Sequence, residues 1–452
     1  MIGKKKLKRL ADEIFKKSTA DQTEVMFTTY TSRLTRFANN YIHQNVAEVN
    51  TSFQIRVVIG KRIGVASANT IDRRGLLRTL DYAVEIAKNQ RENPDFKSLP
   101  PKQIYKKLKI FDKRTADFPP DRQASLVCSV IRLAKDSGLN GYGSFSTGAS
   151  EIFITNSLGL NCYALASDVY FNTVMMGDDS SGYADGAGRR VSDVDVERIG
   201  RRAIKKALLG RRPKTLKPGR YTVILEPLAS AELLDFLGWT TFGAKAIQEK
   251  RSFLVGKIGK KVVDGRVTIV EDPYGPKGLS FPFDFEGVGK KRVVLIDRGV
   301  ARGYVHDTLT GGKEGKKSTG NGLPAPNPFG PIPTNLVLRT GKDSRKKMIT
   351  ETKRGILVTR FHYTNIIDPI KTLITGMTRD GTYLIRNGEI VGGVKNFRFT
   401  QSIIEALNRV DALGNDLTLV GHGPGYGGRH ATGTLAPTIK IRGFNFSGVT
   451  RF

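Results

Sequence analysis

Apolar positions along this chain recur at two spacings, and the change between them marks its elements. Near the N-terminus, Leu7, Leu10, Ala11, Ile14 and Phe15 recur every three or four residues, which predicts an amphipathic helix. Strand-like stretches follow: TEVMFTTYT, LTRFANN and FQIRVVIGKRIGVASAN. The last alternates about a Gly-Lys-Arg turn and predicts an antiparallel hairpin. Leu76, Leu77, Leu80, Val84 and Ala87 place one helix within 72–91, and a Pro-rich connector, SLPPKQIYKK, follows it. Pro119 and Pro120 open another helix, which ends near Gly138. Residues 141–176 read as paired strands about an Asn156–Ser157–Leu158–Gly159 turn. SDVDVERIGRRAIKKALLG reads as a helix capped by Ser192 or Asp193 and closed by Gly210.

Beyond the basic, Pro-containing RRPKTLKPG the pattern changes. Helical spacing persists in LEPLASAELLDFLGWT (225–240), SRKKMITETKRG and TQSIIEALNRVDALG; the rest is strands and Gly-rich turns. TYLIRNGEIVGGV predicts a hairpin, because Asn387–Gly388 suits a type I′ turn. The expected fold class is therefore α+β. An N-terminal α+β domain, residues 1–212, has an antiparallel sheet with flanking helices. A β-rich, barrel-like domain covers residues 218–452. No repeat of fixed period is visible.

Composition narrows the class. With 452 residues and 39% apolar side chains, the chain can bury sizeable cores. No run of about 18 apolar residues occurs, and no apolar stretch follows the positive start MIGKKKLKRL, so a soluble, cytoplasmic protein with no membrane partner is expected. The two cysteines, Cys128 and Cys162, exclude a disulfide scaffold, and Cys128 is expected as buried filler in SLVCSVIRL. The net charge of +31 favours polyanions and acidic proteins as partners. Its densest run, Arg198 to Arg220, has ten basic residues and no acid. It reads as a solvated helix face plus linker, with a nucleic-acid docking surface as the alternative. No interleaved aromatics suggest base stacking.

Candidate chemistry is sparse. Zinc peptidases need two histidines on one helix face and a glutamate for the water's proton. The five histidines, His43, His306, His362, His422 and His430, include no such local pair. His422 and His430 flank the Gly-rich loop of LVGHGPGYGGRHATG, which could fold them together around a metal. Asp284 and Glu286, in FPFDFEGVGKK, suit acid/base work or turn hydrogen bonding, and the turn role is the simpler reading. No nucleophile elbow, phosphate loop or dinucleotide fingerprint is present.

Several segments together resemble one family: TNSLGL, RSFLVGKIGKKV, EDP, FDFEGV, KSTGNG, GILVTR and IRNGEIVGGVKNFRFT. Their order and spacing are similar to those of the TldD/PmbA (TldE) family, the "modulators of DNA gyrase", over nearly the whole chain. The resemblance implies a cytosolic, two-domain subunit of a dimeric metallopeptidase that processes unfolded peptides drawn in as extended strands. TldD-type subunits carry His-Glu-x-x-x-His on a helix and a downstream Cys as metal ligands; PmbA/TldE-type subunits lack them. Aligned on Pro227, the motif positions fall on Asp235, Phe236, Leu237, Gly238, Trp239 and Thr240. The first His position is Asp235, the Glu position Phe236 and the second His position Thr240. Leu233, Phe236, Leu237 and Thr240 are expected to pack a core instead, with Trp239 in that core or at a dimer contact. The ending GHGPGYGGRHATGTLAPTIKIRGFNFSG looks more TldD-like, and His422 falls near the ligand Cys.

The expectation is thus a non-catalytic TldE-like subunit holding no cofactor of its own, with zinc in a TldD-like partner, or a homodimer. The alternatives are an active metal-dependent hydrolase with an atypical site at His422 and His430, aided by Asp284 or Glu286, and a nucleic-acid or polyanion binder.

Overall fold

Period-two alternation builds the first layer. The computed structural model describes residues 1–423 and 428–450. Six antiparallel strands, β1 (Gln22–Ala38), β2 (Tyr41–Ile59), β3 (Arg62–Ala68), β4 (Asn140–Asn156), β5 (Asn161–Met176) and β6 (Ser181–Gly188), form one sheet in the order β3-β2-β1-β4-β5-β6. The two stretches expected at 23–40 are one long strand, bulged at Arg36/Phe37.

Helices cover one face of this sheet. α1 (Lys4–Lys17) and α2 (Arg73–Asn89) bury Leu7, Ala11, Ile14, Leu76, Leu80 and Ala83 on Val25, Phe27, Phe53 and Ile55. After a single turn, α3 (Lys113–Ala116), α4 (Pro120–Asp136) and α5 (Val196–Leu209) pack Val127, Val130, Ile131, Ile199 and Ala203 on Phe37, Phe145 and Phe171. Asp195 caps α5 by accepting from the Arg198 N–H at 3.0 Å, three residues downstream of the expected Ser192.

The two halves of this first domain repeat one topology, helix–three strands–helix. Each closing helix sits on a glycine of an edge strand. A Cβ at Gly64 would lie 1.9 Å from the Ala83 carbonyl oxygen, and one at Gly182 would lie 2.1 Å from that of Ala203. This duplication lives in tertiary contacts, which explains why no sequence period reveals it. Cys128 lies exposed on α4, not in the core as expected, because the buried stripe of that helix runs through Gln123, Val127, Val130, Ile131 and Ala134.

The second half is β-rich. Its largest sheet closes on itself: residues 354–368 pair with β7 (Gly219–Leu225), β7 with 439–449, these with 397–402, these with 373–386, and 373–386 return to 354–368. Phe397, Phe399, Phe444 and Phe446 belong to its core cluster. The Asn387–Gly388 hairpin forms with both residues at positive φ, 50° and 81°. The stretch TQSIIEALNRVDALG is only briefly helical, at Ile403–Leu407, between strands 397–402 and 410–413. A second, mixed sheet carries strands 418–422, 432–436, 336–338, 269–271, 293–297 and 300–301.

The other parity of β4 faces this second half. Ile152 and Ile154 join Leu160, Cys162, Ala164 and Phe283 in one apolar cluster. Beside them Arg429, 1% exposed, reaches into the first sheet and forms a two-pronged pair with Asp168, at 2.9 and 2.7 Å. Among the described residues, no helix is long and apolar enough to cross a membrane.

Candidate functional site

α6 (Pro227–Thr240) lies between the two sheets of the second half. Pro227 at its first turn needs no N–H donor there and presets φ. Ala229, Ser230, Leu233, Leu234, Leu237 and Gly238 are buried. A second stripe at helical spacing, Leu228, Glu232, Asp235, Phe236 and Trp239, lines a cavity of ≈ 660 Å³. Trp239 is 56% exposed on this wall, so it is not a core residue. Of the residues expected to pack a core, Leu233 and Leu237 are buried in it and Phe236 packs against it from the edge, where with Asp235 it also borders the cavity. The Thr240 hydroxyl turns back onto its own helix and donates to the Phe236 carbonyl at 2.7 Å.

Asp235 is held from two sides. Thr434 Oγ1 donates to one carboxylate oxygen at 2.5 Å, and His422 Nε2 lies 3.4 Å from the other. Burial raises the Asp235 pKa, and the His422 charge opposes that rise. Glu232, half-buried on the same stripe, is also raised by burial. The facing wall comes from the first domain: Tyr170 and Tyr183, hydroxyls 3.1 Å apart, and Asp185, which burial pushes up to about 6. Arg360 covers the Tyr183 ring at 4.2 Å and pairs with Asp380. These three first-domain residues escaped sequence reasoning. Their only signal is that they lie on the strand parity opposite to, or beyond, the helix-covered core.

A zinc site of the kind the resemblance implies needs three protein donors. Asp235 and His422 supply two, while Phe236 and Thr240 occupy the other motif positions. Among the described residues, no group of three or more His, Cys, Asp or Glu side chains is placed to hold a metal ion. The residues do not fit the ion.

His422 and His430 acquire different neighbours, contrary to the idea that they fold together around a metal. His422 is exposed beside Asp235, whereas the His430 ring stands edge-on to Phe285 with centroids 5.5 Å apart. Residues 424–427, the rest of that glycine loop, lie outside the described residues. Asp284 accepts from the backbone N–H groups of Glu286, Val288 and Gly322 at 3.0, 2.8 and 2.7 Å, so it organises a turn. Glu286 accepts from the Thr308 N–H at 2.8 Å and its hydroxyl at 2.7 Å. Burial, reinforced by the Asp284 charge, pushes Glu286 up to about 8; Asp284 is pushed up to about 6, chiefly by burial.

The basic run is not all solvated. Arg202 and Lys206 of α5 enter a neighbouring cavity of ≈ 900 Å³, where Lys206 pairs with buried Glu226 at 2.5 Å and Arg345 pairs with the same carboxylate. Leu228, Asp185 and Val420 line both cavities, which makes them neighbours along the domain junction.

Against known proteins, residues 218–448 match the PmbA/TldA metallopeptidase C-terminal domain, residues 23–87 match its domain 1, and residues 94–211 match its central domain. Metalloprotease PmbA from Escherichia coli O157:H7 is 26% identical over 422 residues, covering 89% of this chain and 88% of that protein. The chain spans 68% of an uncharacterized protein of Methanocaldococcus jannaschii, at 27% identity, but only 55% of a metalloprotease of Methanothermobacter thermautotrophicus, at 28%. Among solved structures, TldE from Thermococcus kodakarensis superposes with a TM-score of 0.86 over 98% of this chain and 99% of that one, at 23% identity.

Proposed function

This chain belongs to the PmbA/TldD metallopeptidase family, and from that premise we propose that it is the TldE-like, non-catalytic subunit of a peptide-processing complex. The observation that carries this reading is the state of α6. At the first metal-ligand position Asp235 is engaged by Thr434 and His422, and at the proton-handling position stands Phe236. A benzyl side chain has no acid or base to offer a reacting water. In this reading the partner supplies the metal that activates water. This chain supplies the cavity wall, where Trp239, Phe236 and the Tyr170–Tyr183 pair present flat apolar surface to an extended peptide. The similarity in fold to TldE supports the reading, as does the PmbA relative that matches along 89% of the chain.

The test is reconstitution. Purified alone, the chain should bind substoichiometric zinc and leave an unfolded peptide uncut. Co-purified with a TldD-type subunit, it should form a complex that cuts the peptide faster than that subunit alone. Stoichiometric zinc with turnover by the isolated chain would overturn the proposal. That result would favour the second reading, an atypical hydrolase, to which the Asp235–His422 pair lends its only specific support. The polyanion reading rests on the +31 charge; a steep salt dependence of DNA retention would revive it.

A further inference from the structure

Apart from the cavity that Asp235 faces, a smaller one of ≈ 280 Å³ lies at the junction of the two domains. Its walls are mostly apolar, with Ile152 from β4 meeting Phe281, Phe283 and Phe285. Two polar side chains on this wall lack the partners that burial demands. Lys290 is 9% exposed, yet its ammonium group has a single acceptor, Thr334 Oγ1 at 3.0 Å, and no carboxylate within ion-pair distance among the described residues. Asp284 borders the same cavity and its charge interacts with that of Lys290, but it makes no direct ion pair with the ammonium, and its oxygens already accept from three backbone N–H groups. His430 Nδ1 is buried with no hydrogen-bond partner.

A buried ammonium with one hydrogen-bond acceptor among the described residues is costly, and it is stabilised by an anion that brings further acceptors. Apolar walls with a few converging polar groups are the usual make-up of a small-ligand site. Aromatic rings around a cation complement a ligand that is apolar at one end and anionic at the other.

We propose that this cavity binds the carboxylate end of a small aromatic or apolar acid, with Lys290 and His430 on the carboxylate oxygens and the three phenylalanines around the apolar part. The chemistry is shared by a free carboxylic acid and by the C-terminal residue of a peptide. The site adjoins the Asp235 cavity, sharing Leu323, Ile332, Thr334 and Thr432 with it, but no α6 residue lines it, so the proposal does not require the chain to be a non-catalytic subunit.

The test is calorimetric titration of the full-length chain with 3-phenylpropionate and with its neutral isostere, 3-phenylpropionamide. The acid should bind at least about tenfold more tightly than the amide, since only the acid sets an opposite charge against the Lys290 ammonium. Lys290→Met should remove this preference, weakening the acid by more than it weakens the amide. Acetyl-Ala-Phe with a free carboxylate, set beside phenylpropionate, separates the sources: tighter binding identifies a peptide terminus, and equal or weaker binding a free acid. Equal affinities for acid and amide, no binding of either at millimolar concentration, or an unchanged preference in the variant would each overturn the proposal. The acid–amide comparison uses the unaltered chain, so misfolding of the variant would not protect it.

Discussion

Glu286 shows how one side chain can carry a pH dependence for the whole fold. It is buried at the domain junction beside Asp284, and its pKa is pushed up to about 8, far above the ordinary value of about 4.3. The folded state therefore holds a proton that the unfolded chain releases between these two values. Where the native state binds more protons, stability falls as pH rises. Urea midpoints measured from pH 5 to pH 8 should decline for the parent protein. Glu286→Gln keeps an acceptor for Thr308 and removes the ionisation. It should flatten the decline, gaining on the order of 1–3 kcal/mol over the parent by pH 8. Parallel curves for the two proteins would show that Glu286 does not ionise in this window. None of this is legible in FDFEGV alone. The acids are visible there, but the burial that raises their pKa comes from residues distant in sequence, among them Thr308 and Gly322.

At the scale of elements, spacing worked well where one face of an element meets one neighbour. Leu7, Ala11 and Ile14, the α2 stripe and the Asn387–Gly388 turn all stand where periodicity and turn chemistry place them. It failed where two sets of contacts compete for one helix. α6 is buried on much of its circumference, so its cavity stripe, which includes Trp239, cannot be told from its core stripe by hydrophobicity. The edge-strand glycines make a sharper case. Gly182→Ala forces a methyl group to 2.1 Å from the Ala203 carbonyl and 2.4 Å from the Ala207 N–H. Backbone cannot rotate aside as a side chain can, so α5 must lift from the sheet. The expected cost is about 3 kcal/mol, the upper end for overpacking, read as a lower urea midpoint. Gly64→Ala should do the same to α2. A neutral outcome at both positions would mean that the helices sit farther from the sheet than described.

The whole molecule is joined through buried charge. Arg429 bridges the halves by bonding Asp168, Ser32 and Ser146, and Gly148 leaves room for it, since a Cβ there would stand 2.8 Å from Arg429 Nε. Lys206, Glu226 and Arg345 form a second joint beside α6. Removing one member of such a pair leaves the other desolvated and unpaired. Arg429→Met should lower stability by about 3–5 kcal/mol, and adding Asp168→Leu should recover part of the loss. Chemical denaturation of the two single variants and the double variant measures this coupling. Additive losses would show that the pair does not hold the domains together. Because Arg429 leads into strand 432–436, whose Thr432 and Thr434 line the Asp235 cavity, the same substitution should also weaken the peptide binding proposed for that cavity.

The order of elements, the α+β class and the residues at the motif positions of α6 are all present in the sequence, because each depends on neighbours within a few positions. The pairing of Asp235 with His422, the exposure of Trp239 and Cys128, the Tyr170–Tyr183 wall and the burial of Lys290 arose only when distant strands packed. Those properties depend on solvent exclusion and on partners outside the local pattern, more than a hundred residues away for Asp235 and His422, and no local pattern of side chains encodes either.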